Sequence, residues 1–418
     1  MKKIKTYIII LILIPVSISK SQWIEINTGH PNGNSGVYFI NTETGFVAGD
    51  GGTYIRRILK TTNGGNNWII KHLSSGTVLS KIQFVNNNTG YVVTSLAIVK
   101  TINGGENWNV ISNPYILSGL FFNDANTGYF TGRQTTTDKG IIIKTTNGGS
   151  TWALQYTSDS TCFLNDVLFV NYNTGFAAGS TIEGFAKILK TTNGGNNWSL
   201  IYGGAGTSGT YNIHFTGPDN GFASGSSGKV ISTTNAGINW YEQFLGTTNA
   251  LSGLTFTTPS NGYSISLSGH IFKTTNAGIN WSLQQLFEPS LSDIFFVNTS
   301  TGFIVGSSGK MYKTTNGGSP TGIEHISNKL PNKYSLYQNY PNPFNPNTII
   351  KFDAAQNSLV VLKIFDISGR EVKTLVNGFL KAGTYKIEFD ASSLSSGIYY
   401  YRLISENYSE TKKMIFIK

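Results

Sequence analysis

One nine-residue motif occurs seven times in this chain, and six of the copies end in tryptophan. They read KTTNGGNNW (Lys60 to Trp68), KTINGGENW (Lys100 to Trp108), KTTNGGSTW (Lys144 to Trp152), KTTNGGNNW (Lys190 to Trp198), STTNAGINW (Ser232 to Trp240), KTTNAGINW (Lys273 to Trp281) and KTTNGGSPT (Lys313 to Thr321). The chain nevertheless holds seven tryptophans. The seventh, Trp23, opens the alternating stretch Trp23-Ile24-Glu25-Ile26 ahead of the first full repeat. The outer strand that the last repeat lacks is therefore expected at the front of the chain. An open stack of repeats gains nothing from that exchange, whereas a closed ring gains a strand that ties its last unit to its first. The expected fold is all-β: a seven-bladed β-propeller closed by an N-terminal strand.

The box tryptophans Trp68, Trp108, Trp152, Trp198, Trp240 and Trp281 are separated by 40, 44, 46, 42 and 41 residues, the length of one four-stranded blade. A second motif keeps step with the first, from FINTETGFVAG (Phe39 to Gly49) to FVNTSTGFIVG (Phe296 to Gly306). Each unit then reads as strand A ending in Phe, a turn, strand B from the Gly-aromatic pair, strand C, the box turn, and strand D opening with Trp. The apolar runs are short and bounded by Gly, Asn and Ser, with no helical period. In the box, Thr61 and Asn63 can bond the turn's own N–H groups. Gly65 supplies positive φ, and Trp68 buries roughly 150–250 Å² between sheets.

The pattern Ser/Thr-x-Asp/Asn-x-Gly-x-x-Trp resembles the Asp-box (BNR) propellers. Together with the TGF-x-x-G motif it is similar to the photosystem II assembly-factor-like propellers. The resemblance implies a fold and leaves function open, because the box is a turn. This chain departs from the family in using Asn for Asp, with Ala236 and Ala277 for the first Gly and Ile102 for the second Thr. No carboxylate cluster, His pair or Cys cluster remains to hold a metal, and no cofactor is expected.

Residues 1–21 combine a basic start (Lys2, Lys3, Lys5), an apolar core interrupted by Pro15 and small residues at Ser19 and Ser21. They read as a signal peptide, too short in their apolar run for a ~20-residue span, so the mature chain is expected to have no transmembrane anchor. The propeller is assigned to 22–318, a linker to 319–333 and a second domain to 334–418. Six further strands, punctuated at Ser368-Gly369 and Asn377-Gly378, suggest a small Ig-like β-sandwich there. Tyr340-Pro341-Asn342-Pro343-Phe344-Asn345-Pro346, DISGREVKTLV (Asp366 to Val376) and LSSGIYYYRL (Leu394 to Leu403) resemble the type A C-terminal sorting domain of type IX secretion. That resemblance implies the type IX machinery as a partner, and a secreted or cell-surface location.

The net charge of +10 divides into +4 on residues 1–21, +2 on 22–319 and +4 on 320–418. A nearly neutral propeller disfavours nucleic acid, which needs clustered Lys and Arg. The single cysteine, Cys162, permits no intramolecular disulfide and is expected as an inert buried thiol. A monomer is expected.

The B–C segments of units 1, 3 and 4 are longer than the rest, and long loops on a rigid scaffold are where function concentrates. They contain all three arginines of the propeller, Arg56, Arg57 and Arg133, together with Tyr54, Asp138, Lys139, Glu183 and Phe185. Arginine forks suit carboxylate or phosphate, and aromatics suit sugar or peptide faces. These eight residues form the candidate recognition patch for a protein or glycan. The alternative is that long hairpins vary freely and their charges keep them solvated. A secreted sialidase-like or other glycoside hydrolase is the rival function, since sialidases also carry Asp boxes. A sialidase needs three arginines on one carboxylate, yet adjacent Arg56 and Arg57 point to opposite faces of a strand. A carboxylate pair such as Asp50 and Glu183 stays open, and no catalytic residue is assigned.

Overall fold

The computed structural model describes residues 23–52, 55–75, 79–204, 206–318, 323–327, 330–392, 394–406 and 408–418. The expected signal peptide, 1–21, lies outside the described residues. Contacts divide the chain into two compact units, one ending at Ser319 and one beginning at Pro320.

Among the described residues, every sheet of the first unit is antiparallel. Five are separate four-stranded sheets. A sixth is seven-stranded, because Ala153–Phe169 runs without a break from the outer position of the third repeat to the inner position of the fourth. Innermost strands neighbour one another in cyclic order, and Leu291–Phe296 of the last repeat lies against Asn34–Phe39 of the first. The front strand Ile24–Asn27 pairs antiparallel with Lys310–Thr314, placing Ile24 opposite Lys313 and Ile26 opposite Met311. The exchange expected from the tryptophan count is therefore made.

Aromatic packing repeats all the way round. Trp68 stands edge-on to Phe39 at 6.1 Å and Trp108 to Phe84 at 5.9 Å. Trp152 meets Phe122, Trp198 meets Phe169, Trp240 meets Phe215 and Trp281 meets Phe256 in the same way. Trp23 takes the equivalent place against Phe296 at 5.7 Å. Each inner-strand Phe also stacks on an aromatic of the preceding repeat, from Phe46–Phe84 at 4.3 Å to Phe39–Phe303 at 3.6 Å across the closing joint. The glycine of the second motif makes room for that ring: a Cβ on Gly45 would lie 2.4 Å from Phe39 and one on Gly221 2.3 Å from Phe215.

The box turn forms as its residues dictate. Thr61 Oγ1 donates to Asn63 Oδ1 (3.0 Å) and accepts from Gly65 N (3.0 Å), while Asn63 Oδ1 accepts from Asn67 N (2.9 Å). Asn thus supplies the oxygen that Asp supplies elsewhere. Both glycines have positive φ, 66° at Gly64 and 91° at Gly65. Ala236 and Ala277 adopt 55° and 56°, a left-handed conformation that costs roughly 1–2 kcal/mol at each.

In the second unit, Ile323–Ser327, Gly383–Asp390, Asn347–Ala354 and Ser335–Leu336 form one four-stranded sheet. Glu371–Leu380, Ser358–Asp366, Gly397–Ser405 and Tyr408–Phe416 form another. Phe352, Leu362, Ile364, Phe389, Tyr401, Leu403 and Met414 belong to one buried core. Two expectations are corrected. The stretch 319–333, read as linker, contributes the edge strand Ile323–Ser327, in register with Gly383–Asp390. Asn377-Gly378, read as a turn, lies inside Glu371–Leu380, because strand pairing with Ser358–Asp366 overrides the local turn preference.

Candidate functional site: the rim and the inner ring

The rim opposite the box turns is built by B–C hairpins and by the connections entering each inner strand. In the first repeat, Gly45–Gly52 pairs with Ile55–Thr61, so that Asp50 lies opposite Arg56 and Gly49 opposite Arg57. The pleat sends the two arginines apart, as expected. Arg56 Nη1 pairs with Asp50 Oδ1 at 2.8 Å. Arg57 is 1 % exposed; its Nη2 donates to the Asn32 carbonyl and to Asn34 Oδ1, both at 3.1 Å. Burial lowers the pKa of its guanidinium, partly offset by the charge of Asp50. Arg57 is therefore an internal strut, and its assignment to an exposed patch is corrected: facing the closing joint, it is enclosed by the chain entering the first inner strand. Tyr54 lies outside the described residues.

The third and fourth repeats are joined at this rim. Along the continuous strand Ala153–Phe169, Thr161 pairs with Lys139 and the next residue, Cys162, pairs with Thr181. Arg133 pairs with Asp138 at 3.0 Å, and its guanidinium lies 4.4 Å from the centroid of Phe163. Glu183 is exposed at the hairpin tip, and the Thr181 hydroxyl holds its carboxyl below the usual range. Phe185 is half-buried, with its N–H directed to Thr181 Oγ1 at 3.3 Å. Arg133, Asp138, Lys139, Glu183 and Phe185 thus flank one strand. Arg56 belongs to a different sheet and makes its ion pair there. Cys162 is a buried free thiol.

Sequence reading missed a second polar cluster, on the innermost strands. Each of these strands carries a bulge. Three residues before the Phe that ends each strand stands Gly36, Lys81, Gly119, Asp166, Asn212, Gly253 or Asp293, in unit order. Lys81 of the second repeat reaches Asp166 of the fourth at 2.6 Å, passing the third, where Gly119 has no side chain. Asp166 Oδ2 also accepts the N–H of Ile213 (3.1 Å), and Asp293 Oδ2 that of Val37 (2.9 Å). These carboxylates therefore cap an N–H group of the next inner strand. Burial pushes Asp293 up to about 6, opposed by the Val37 and Ile294 N–H groups and the charge of Lys81. Burial brings the nearby His214 imidazole down to about 4. A polar column at one position of seven aligned inner strands was the available signal. Among the described residues, no group of three His, Cys, Asp or Glu is placed to hold a metal ion.

The comparisons agree with this architecture. Residues 16–160 match the family model of the photosynthesis system II assembly factor YCF48, and residues 338–418 match the secretion system C-terminal sorting domain. No curated protein sequence matches the chain. Among solved structures, YCF48 bound to D1 peptide superposes with a TM-score of 0.58 at 18 % identity, covering 72 % of this chain and 98 % of that one. YCF48 from Cyanidioschyzon merolae gives 0.55 at 16 %, covering 70 % and 98 %. PorZ, a surface component of the type IX secretion system of Porphyromonas gingivalis, gives 0.53 at 12 %, covering 97 % of this chain and 61 % of its own. The chain is a β-propeller of BNR-type repeats followed by a type IX secretion sorting domain. Such a tail marks it for export, to the cell surface or beyond. Among the described residues, no helix is long and apolar enough to cross a membrane.

Proposed function

We propose that this chain is an exported, non-enzymatic, monomeric seven-bladed propeller that binds a protein or glycan at or outside the cell surface. Residues 1–21 serve as its signal peptide, 22–318 as the ring, and 334–418 as an Ig-like sandwich recognised by the type IX machinery. The observation that carries the binding role is the rim of the third and fourth repeats, where two lengthened hairpins flank a single strand and offer Arg133, Asp138, Lys139, Glu183 and Phe185 together. YCF48, which shares the fold, has been captured with a bound peptide. The arrangement does not favour the hydrolase reading: Arg57 is buried, Arg56 and Arg133 are each paired with their own aspartate, and among the described residues no three arginines meet.

The test is a peptide and glycan array probed with the full chain, run beside a hydrolysis assay on the glycans retained. Binding without sugar release, weakened by the combined Arg133→Ala, Lys139→Ala and Glu183→Ala variant, is the expected result. Released sugar, or capture unchanged in that variant, contradicts it.

A further inference from the structure

Six of the seven joints of the ring carry the same fastener on the box face. The lysine that opens each box donates to the carbonyl at the fifth box position of the next repeat, and lies over the aromatic ring of its own strand B. Lys60 reaches Gly104 O (2.7 Å), Lys100 reaches Gly148 O (2.6 Å) and Lys144 reaches Gly194 O (2.7 Å). Lys190 reaches Ala236 O (2.8 Å), Lys273 reaches Gly317 O (2.6 Å), and Lys313 closes the circle on Gly64 O (2.8 Å). The ammonium lies 5.2–5.7 Å from the ring centroid in all six.

At the joint between the fifth and sixth repeats the lysine is Ser232. The receiving groups remain. Phe222 is paired directly opposite Ser232, so its ring occupies the place over which the other lysines lie. Ala277 presents the equivalent carbonyl. Ala277 is exposed, whereas of its latched counterparts Gly64, Gly148, Gly194 and Gly317 are buried and Gly104 and Ala236 half-buried. This joint also differs from the rest in a second aromatic. Tyr241, opposite Ser232 on the other side, is 64 % exposed, where other repeats have Ile69, Asn109, Ala153, Ser199 and Ser282. One strand-B ring, one strand-D ring and one carbonyl thus border a short hydroxyl side chain.

We infer that the joint between the fifth and sixth repeats is a binding site for a primary alkylammonium group, the chemistry of a lysine side chain, supplied from outside the chain. The molecule itself provides the template six times over: an ammonium that donates to a carbonyl and rests on an aromatic face. The need for an N–H donor at Ala277 selects a primary ammonium over a quaternary one, and the second ring adds a face the internal lysines do not have. The site lies on the box face, opposite the rim, and does not depend on the rim's ligand.

The experiment titrates the full chain with n-butylammonium chloride and, at equal ionic strength, with tetramethylammonium chloride, reading amide chemical shifts. Ser232→Lys is the decisive variant, since its own lysine fills the place. Expected are saturable shifts confined to Ala277, Gly278 and Tyr241 in the natural chain, absent with tetramethylammonium and absent in Ser232→Lys, which also melts higher than the natural chain. Shifts that persist in Ser232→Lys, that tetramethylammonium reproduces, or that spread equally over the six latched joints overturn the inference. So does a folded Ser232→Lys whose melting temperature does not rise, because its lysine then fails to reach Ala277.

Discussion

The joint that closes the ring and the joint between its fifth and sixth repeats follow one plan and are fastened differently. At the closing joint Phe39 stacks on Phe303 at 3.6 Å, Lys313 holds Gly64, Asp293 caps Val37, and a whole strand, Ile24–Asn27, is added from the front of the chain. At the other joint Phe256 stacks on Phe222 at 4.2 Å, Asn212 Nδ2 holds Ser252 O at 2.8 Å, and the lysine is absent. Connectivity accounts for the added strand but not for the lysine, which five joints between consecutive repeats also carry. Mid-chain repeats are held together by the peptide between them, which keeps their effective concentration high whatever their side chains do. The first and last repeats have no such link, so closure must come from contacts alone.

That comparison can be broken at four places. Deleting Trp23 to Thr28 removes the closing strand and bares the edge of Lys310–Thr314; loss of the cooperative thermal transition is the expected outcome, and an unchanged melt contradicts it. Trp23→Ala leaves the strand but empties a fully buried site, and a denaturant titration should register a loss of about 3–5 kcal/mol. Lys313→Ala removes one charged hydrogen bond and one ring contact at a partly exposed position. Its cost should be about 1–2 kcal/mol, and an equal truncation of Ser232 should cost less.

The last effect concerns pH. Asp293 has its pKa raised in the fold, so proton binding favours the folded ring, and the group's contribution grows as pH falls from about 6 toward 4. Asp293→Asn carries no such charge. Its melting temperature relative to the natural chain should therefore be most favourable above pH 6 and decline on acidification. A difference that is flat with pH would remove the carboxylate from this account.

Much of the ring was legible because its signals are local and repeated. A tryptophan missing from Lys313 to Thr321 and present at Trp23 was enough to expect closure, and Thr61, Asn63 and Gly65 announce their own turn. What escaped depends on side-chain depth, which period-2 reasoning does not supply. Arg57 alternates with Arg56 as a strand requires, but alternation does not say that its side faces another repeat while its neighbour's faces an aspartate. Lys81, Asp166 and Asp293 lie 85 and 127 residues apart in sequence and meet only because the inner strands share an axis. The box lysine stood in plain view at six positions, yet its partner is a backbone carbonyl about one repeat away, and carbonyls leave no trace in sequence.

Hydrogen exchange of the full chain tests circular closure most directly. Ile24 to Asn27 stand near the front of the described chain, where fraying is the ordinary behaviour. Closure predicts that those of their amides directed at Lys310 to Thr314 exchange as slowly as the amides of that strand, through unfolding of the whole ring, while the alternate amides at the sheet edge exchange fast. Rapid exchange at all four residues Ile24 to Asn27, inward-directed amides included, beside protected amides at Lys310 to Thr314 would contradict it.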